Sequence, residues 1–207
     1  MMSATDIALA RISGMGRWAP DARGRLQKAA WELFTERGFE ATTVADIAAR
    51  AGTTERTFFR HFDDKREVLF SGAEVFEDSF VSAVLHAPKS AAPLEAVAAG
   101  LGAAAAFLEQ GQDMPRRRQA IIAANPELQE RELKKLASLS AAVADALRMR
   151  GIADSAAVLT AEIGVTVFKV SFERWLSDRD HKTLSALVAE SLDELSELTG
   201  SVSSGRR

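Results

Sequence analysis

The sequence predicts an all-α protein, with an N-terminal three-helix domain that contains a helix-turn-helix and a larger helical domain behind it. Residues that favour helices (alanine, leucine, glutamate and arginine) dominate the chain, and apolar residues recur every three or four positions. The alternation of β-branched residues that is typical of strands is missing. At 207 residues the chain is long enough for one or two domains with a substantial core.

The two ends of the chain lack helical periodicity. Residues 1–20 mix glycine, serine, arginine and a proline, so we expect a flexible arm there. Ser-Val-Ser-Ser-Gly-Arg-Arg at 201–207 likewise predicts a flexible tail. Between the ends we expect a helix-turn-helix domain at 21–68 and a second helical domain at 69–200.

Side chains that cap helices divide the N-terminal part into four segments. The expected helices run from Asp21 to Arg37, over a short stretch after Thr43, from Thr54 to about His61, and continuously over about 65–85 after a cap at Asp63 or Asp64. Gly38 and Gly52 end the first two, because glycine readily adopts a left-handed conformation. Two short helices joined by a glycine turn have the spacing of a helix-turn-helix.

Five further helices are expected in the second domain. They cover about 93–110, 114–124, Pro126 to Gly151, 154–178 and 181–199. The helix at 154–178 is apolar on two sides, with Val158, Val165, Phe168, Phe172 and Trp175 on one and Leu159, Ile163, Val167 and Val170 on the other. Both apolar sides of such a helix must be buried, one against the core of its own chain and the other against a further partner. We therefore expect it to pair, together with the leucine stripe of 181–199, with a second copy of the chain, the alternative being a monomer core.

The third helix has the features of a DNA-reading element. Packing of Val44, Ile47, Ala48, Ala51, Phe58 and Phe62 would leave one face free, carrying Thr53, Thr54, Arg56, Thr57, Phe59 and Arg60. Eight residues at about 1.5 Å each span roughly 12 Å, the width of the major groove. Thr43 and Thr54 at helix starts can bind phosphate, and His61, Lys65 and Arg25 can flank the backbone. The alternative is an ordinary solvated surface, against which the outward-facing Phe59 argues.

Residues 33–69 carry four motifs at fixed spacing: L-F…R-G-F, T-T-V-A-D-I-A-A-R-A-G, T-F-F-R-H-F and D-K-R-E-V-L. In these motifs the chain resembles the tetracycline-repressor (TetR) family. The resemblance implies an all-helical homodimer with an N-terminal DNA-reading domain and a divergent ligand-binding domain. It also places the following residues where family members contact DNA: Thr43, Thr54, Thr57, Phe59, Arg60, His61 and Lys65.

Two positions of the third helix depart from the family pattern. Position 59 is Phe where Tyr is frequent, which removes a hydroxyl that could bond phosphate. Glu55 can repel phosphate or accept a hydrogen bond from a cytosine amine. Over 71–207 the resemblance gives architecture only.

The second domain offers candidates for a small-molecule pocket. They are Phe76, Phe107, Ile121, Phe168, Phe172 and Trp175, and they favour an apolar ligand, with plain core packing as the alternative. The run Arg116-Arg117-Arg118 can recognise an acidic group or form a solvated helix face.

Several other classes of protein fit the sequence poorly. The chain has no cysteine and three scattered histidines, so no disulfide, metal site or cofactor is expected. Gly100, Gly102 and Ala105 fit the dinucleotide pattern G-x-G-x-x-A, but the flanking residues are helical, so these glycines are interpreted as close helix packing and not as part of an enzyme. Neither a signal peptide nor a membrane-spanning run is apparent, which predicts a cytoplasmic protein.

Together these patterns predict a regulator of transcription. The favoured form is a repressor that binds a palindromic double-stranded operator as a homodimer and is released by a small apolar molecule, with activation as an alternative. A helical adaptor that binds only proteins is the rival, and it would have no need of Arg56, Phe59 and Arg60 together. The net charge of −3 is neutral on this point, because DNA contact depends on a local basic face.

Overall fold

The computed structural model describes residues 21–111, 113–178 and 182–204, and in these residues the regular secondary structure is entirely helical. The predicted all-α fold is therefore confirmed. The described residues up to Val68 form one compact unit, and those from Leu69 onward form a second. The arm predicted at 1–20 and positions 205–207 of the predicted tail lie outside the described residues.

Helices α1 (Ala22–Arg37), α2 (Val44–Arg50) and α3 (Glu55–Phe59) lie in the first unit, and α4 (Lys65–Phe70) begins there. Three predicted caps are confirmed. Asp21 accepts a hydrogen bond from the Gly24 N–H at 2.7 Å, and the Thr43 hydroxyl accepts from the Asp46 N–H at 3.1 Å. The Thr54 hydroxyl accepts from the Thr57 N–H at 3.3 Å. The first two bonds each satisfy an N–H that has no partner within its helix, whereas the Thr57 N–H also donates to the Thr54 carbonyl, at 2.9 Å.

The core of the first unit matches the predicted apolar face. Leu26, Ala30, Ile47 and Phe58 are completely buried. Ala48, Ala51 and Phe62, also predicted as core, are buried as well, whereas Val44 is half-buried. These side chains pack α2 and α3 onto α1 and so fix which face of α3 is exposed.

The predicted length of α3 is wrong. The helix ends at Phe59, and Arg60 and His61 continue as a hydrogen-bonded turn in which the His61 N–H donates to the Phe58 carbonyl at 2.8 Å. The chain then starts a new helix, since Asp64 accepts from the N–H groups of Arg66 and Glu67. The five helical residues span only about 7.5 Å.

The prediction of one continuous helix over about 65–85 is also wrong. The chain breaks between α4 and α5 (Ala73–His86) at Gly72, whose φ is +105°. This backbone conformation is costly for residues with a Cβ, so glycine allows the break.

At the C-terminal end the prediction is wrong in the opposite direction, because the helix is longer than expected. The last helix runs from Leu184 to Ser204, although a tail was expected from 201. Extending an existing helix costs far less than starting one, so residues of modest helix propensity can continue it.

Among the described residues of the second unit, five more helices follow α5: α6 (Pro93–Glu109), α7 (Met114–Ala123), α8 (Pro126–Met149), α9 (Asp154–Ser177) and α10 (Leu184–Ser204). Buried residues of α5, α6, α8, α9 and α10 form one apolar core. Arg150, just after α8, donates to the carbonyls of Val84, Ala87 and Pro88 at 3.1, 2.7 and 2.7 Å. One guanidinium thereby satisfies carbonyls at the end of α5 and ties that end to α8.

Gly100 allows α5 and α6 to approach closely. A Cβ at Gly100 would lie 2.5 Å from the ring of Phe80, which is completely buried. A Cβ at Gly102 would meet nothing within 4 Å. The interpretation of this motif as close helix packing is therefore confirmed for Gly100 and wrong for Gly102.

We expect Gly100→Ala to destabilise the second unit by about 1–3 kcal/mol, because the added methyl overpacks the contact with Phe80. Gly102→Ala is the matched control, and it should stabilise the helix by about 0.5–1 kcal/mol. Urea unfolding followed by circular dichroism measures both. Equal effects of the two substitutions would contradict this packing.

Candidate nucleic-acid interface

The outer face of α3 carries the side chains that were predicted to read DNA. Thr54, Arg56, Phe59 and Arg60 are exposed, and Thr53, Thr57 and His61 are half-buried. The contrast is sharpest between two neighbours, because Phe58 is 0% exposed and Phe59 is 54% exposed. The two rings meet edge to face with centroids 5.5 Å apart. Phe58 therefore anchors the helix, while Phe59 presents an apolar ring to the solvent.

The turn between α2 and α3 is held by backbone hydrogen bonds. The Gly52 N–H donates to Ala49 at 3.1 Å, and the Thr53 N–H donates to Ala48 at 2.9 Å. Gly52 has a φ of +64°, which is the left-handed conformation that the turn requires. The Nε of Arg25 donates to the Ala51 carbonyl at 3.3 Å, so this side chain, expected to flank the DNA backbone, also fastens the turn.

The cations of the first unit divide into paired and unpaired groups. Arg50 bonds to Glu36 at 2.8 Å and approaches Glu32 at 3.4 Å. The hydrogen bond from Arg50 lowers the pKa of Glu36. Within the described residues, Arg56 and Arg60 have no carboxylate partner; Arg60 only approaches the Nε2 of His61, at 3.5 Å. The exposed face of α3 therefore keeps two guanidinium groups available for phosphate or base edges.

The threonines at the helix starts already have partners. The Thr43 hydroxyl donates to the Asp46 carboxylate at 2.6 Å, and the Thr43 N–H donates to the same oxygen at 3.0 Å. These bonds hold the pKa of Asp46 below its ordinary value, so the carboxylate stays charged beside Thr43. The Thr54 hydroxyl shares a hydrogen bond with the Thr57 hydroxyl at 3.2 Å.

Lys65 has a structural environment that the sequence did not reveal. Its ammonium donates to the carbonyls of Phe39, Thr42 and Glu40 at 2.8, 3.1 and 3.3 Å, and it lies 4.4 Å from the centroid of the Phe39 ring. Three carbonyls match the three N–H donors of an ammonium. Lys65 thus fixes the segment between α1 and α2 that leads to Thr43.

Five of the six candidate pocket residues lie in contact within the second unit. Phe107, Phe76, Phe168, Phe172 and Trp175 follow one another with centroid distances of 6.0, 5.3, 5.6 and 5.9 Å, and we call them the aromatic row. They come from α5, α6 and α9. The sixth candidate, Ile121, lies on α7, is half-buried and is not among the residues packed on the core, whereas its neighbour Ile122 is completely buried.

The three consecutive arginines of α7 have three different environments. Arg116 lies 4.8 Å from the centroid of Trp175 and donates to the Trp175 carbonyl at 2.9 Å. Arg117 is exposed. Arg118 donates to the Leu69 carbonyl and to Glu132 at 2.9 and 3.0 Å, and burial lowers its pKa.

One side of α9 is apolar but uncovered. Leu159, Ile163 and Val170 are 61%, 37% and 43% exposed, while Val167, expected on the same side, is buried. On the core side Val165, Phe168 and Trp175 are buried and Phe172 is half-buried, but Val158 is 40% exposed.

In the described residues, α9 alone has the length and composition of a membrane span. The core helices of soluble proteins can have the same length and composition. In α10, Leu184, Leu187 and Val188 are buried, and Leu198 is 68% exposed.

The described residues contain no group of three or more histidine, aspartate or glutamate side chains that could hold a metal ion. The side chains exposed on and just after α3 offer charge, hydrogen bonding and apolar contact. An all-helical chain whose first unit presents such a face on a helix-turn-helix has the features of a DNA-binding transcriptional regulator.

Comparisons with known families agree with this class. Residues 26–71 match the family described as bacterial regulatory proteins, tetR family, and residues 91–199 match the MftR C-terminal domain. The second match alone spans more than half of the chain. The chain therefore belongs to the TetR family of helix-turn-helix transcriptional regulators, as its motifs predicted.

Individual relatives are more distant. The chain is 34% identical over 90 residues to the transcriptional regulator TcmR of Streptomyces glaucescens, which covers 44% of this chain and 40% of that protein. The match to the transcriptional activator FasR of Mycolicibacterium smegmatis, at 36% identity, covers 32% of this chain and 31% of that protein. The matched part is thus less than half the length of these relatives. The putative mycofactocin biosynthesis regulator MftR of Mycobacterium tuberculosis is 25% identical, with 86% of this chain and 91% of that protein covered.

Solved structures share the fold at low identity. A putative transcriptional regulator of Pseudomonas aeruginosa PAO1 has a TM-score of 0.64 at 19% identity, with 92% of this chain and 97% of that chain covered. A complex of SmeT with triclosan has a TM-score of 0.60 at 19% identity, covering 84% and 90% of the two chains.

Proposed function

We propose that this regulator is a cytoplasmic repressor that binds a palindromic DNA operator as a homodimer and is released by a small molecule held in its second unit. The observation that carries the proposal is the outer face of α3 and its end, where an exposed phenylalanine lies beside two arginines that have no carboxylate partner among the described residues. A protein that bound only other proteins would have no use for that combination at the expected position of a helix-turn-helix.

The residues proposed to contact DNA fall into two groups. Arg56, Phe59 and Arg60 reach outward from α3 and its end, where arginine can bond guanine and an apolar ring can contact a thymine methyl. The others act at the edges of this face: Thr43, Thr53, Thr54, Thr57, His61 and Lys65. Because the ammonium of Lys65 is occupied by carbonyls, we propose that it acts on phosphate only through its charge.

The uncovered side of α9 supports the proposed dimer. Leu159, Ile163 and Val170 lie at helical spacing and are exposed in a single chain, so a second copy that packs against them removes apolar surface from water. Pairing of α9 and α10 with their counterparts would form a four-helix bundle. Two DNA-reading units in one dimer can read two half-sites of a palindrome.

The effector is proposed to bind along the aromatic row. Operator and effector are then linked, since each must weaken the binding of the other by the same factor. SmeT, which shares this fold, forms a complex with triclosan, and this supports a small-molecule effector here. An effector that binds tightly but leaves operator affinity unchanged would contradict this mechanism.

The proposal is tested by fluorescence anisotropy of the purified chain on the intergenic DNA beside its own gene, over a series of salt concentrations. Saturable binding about a thousandfold tighter than on scrambled DNA would establish an operator reader. If binding is weak and equal on both DNAs, selection from a random duplex pool is the deciding experiment. Failure to select any sequence would favour the adaptor.

We expect Arg60→Ala to weaken operator binding by about 1–3 kcal/mol if the side chain reads a base, with relaxed specificity at one position. Equal losses on all sequences, with a shallower salt dependence, would instead make Arg60 a phosphate contact. Arg117→Ala, which removes an exposed arginine from the second unit, is the control and should leave operator affinity unchanged. An Arg60→Ala variant with full affinity would contradict the proposed interface.

A further inference from the structure

The aromatic row ends at a cation that has spare hydrogen-bond donors. Arg116 stacks on Trp175 at 4.8 Å and uses one N–H for the Trp175 carbonyl. Within the described residues it has no carboxylate partner, in contrast to Arg118, which is paired with Glu132. A guanidinium has five N–H donors in a planar fork that matches a carboxylate, so most of them remain available.

The row is not a closed core. Phe168 and Trp175 are 7% and 6% exposed, but Phe76, Phe107 and Phe172 are only half-buried. Part of each of these three side chains therefore remains exposed to solvent, where a molecule can contact it. Aromatic pairs gain about 0.5–1.5 kcal/mol beyond the burial of their area, which favours a flat apolar body.

The sign of the charge at the end of the row selects among ligands. Aromatic rings alone attract cations, but a fixed guanidinium next to Trp175 repels them and attracts anions. We propose that the second unit binds a small acid with an aromatic or similarly flat apolar body, whose carboxylate bonds to Arg116 and whose body lies along the aromatic row. This inference rests on the proposed function, because the same molecule would be the effector.

Arg116 also has a structural role that the test must separate from ligand binding. The Trp175 carbonyl is one of the last four of α9, which have no partner within the helix, and Arg116 satisfies it. Glutamine at 116 can still donate an N–H to a carbonyl, so Arg116→Gln removes the charge with the least damage. Arg117→Gln makes the same change of charge at the exposed neighbour.

The test is isothermal titration calorimetry of the full chain, without DNA, against three probes that share one body: 2-naphthoate, 2-naphthamide and 2-naphthylmethylammonium. We expect 2-naphthoate to bind at least about tenfold tighter than the neutral amide, and the cation to bind weakest. The preference should disappear in Arg116→Gln, persist in Arg117→Gln and be partly kept in Arg116→Lys.

Equal binding of the three probes to the original chain would overturn the proposal, and so would an unchanged preference in Arg116→Gln. If Arg116→Gln loses its helical circular dichroism, the comparison of Arg116→Lys with the original chain decides instead. Operator binding is measured separately, in the absence of any probe. If the original chain binds the operator but shows no preference for the acid, only this inference is refuted. If it prefers the acid but binds no operator, only the proposed function is refuted.

Discussion

Replacing Phe58 by alanine is expected to destabilise the first unit by about 3–5 kcal/mol. The ring is completely buried on α3, and its centroid lies 5.4 Å from that of Phe62. Removing it leaves a cavity beneath a helix of only five residues, which cannot persist without its packing. Folded proteins are stable by only about 0.05–0.15 kcal/mol per residue, which is roughly 2–7 kcal/mol for a unit of the size of residues 21–68. Because the expected loss removes most or all of this stability, we expect the helix-turn-helix to be largely unfolded in this variant.

Phe59→Ala is the matched control, since the same side chain is removed one position away. Phe59 is 54% exposed, so its loss should cost at most about 1 kcal/mol of stability, mainly through the edge contact with Phe58. Operator affinity should nevertheless fall, by about 1–3 kcal/mol if the ring contacts a base. Phe58→Ala loses DNA binding through unfolding, whereas Phe59→Ala loses it in a folded protein.

Hydrogen exchange read by mass spectrometry over residues 21–68 separates the two effects, and anisotropy on the operator gives the affinity. Protected amides in Phe58→Ala would contradict its role as the anchor of α3. Full operator affinity in Phe59→Ala would remove the exposed ring from the interface and leave the arginines to carry it.

Local signals in the sequence predicted most of the first unit. Asp21, Thr43 and Thr54 cap helices because a short side-chain oxygen next to a helix start has few better partners than the backbone N–H groups. The positions of Gly38 and Gly52 predicted the ends of α1 and α2 correctly, and Gly72 could have been interpreted in the same way. It was missed because apolar residues on both sides keep a helical spacing across the break.

Contacts between distant parts of the chain could not be predicted. Lys65 looked like a phosphate contact because its position resembles the family pattern, but its partners Phe39, Glu40 and Thr42 come from a loop more than twenty residues earlier. The three arginines of α7 looked equivalent, and only tertiary packing gives Arg118 a carboxylate and Arg116 a tryptophan. Periodicity indicates which face of a helix is apolar, but it does not identify the partner of each polar group.

The second large effect is expected for Ile163→Arg, which should weaken dimerisation at least about a hundredfold. Ile163 lies between Leu159 and Val170 on the uncovered side of α9, and in a symmetric dimer each substitution occurs twice. Two guanidinium groups would then be taken from water into an apolar contact without partners, at a cost of several kcal/mol. In the single chain the position is 37% exposed, so the long side chain can reach solvent and the monomer should stay folded.

Val75→Arg provides the control, because Val75 is an apolar residue on α5 that is 59% exposed and lies outside this stripe. Sedimentation velocity over a range of concentrations measures the association, and circular dichroism verifies the fold. We expect the original chain and Val75→Arg to sediment as dimers and Ile163→Arg as a monomer.

A monomer also loses the combined affinity of two half-sites, so its binding to a full operator should fall to that of a half-site. If Ile163→Arg remained a dimer while Val75→Arg dissociated, the interface would lie on α5, and the two-sided apolar pattern of α9 would need another explanation.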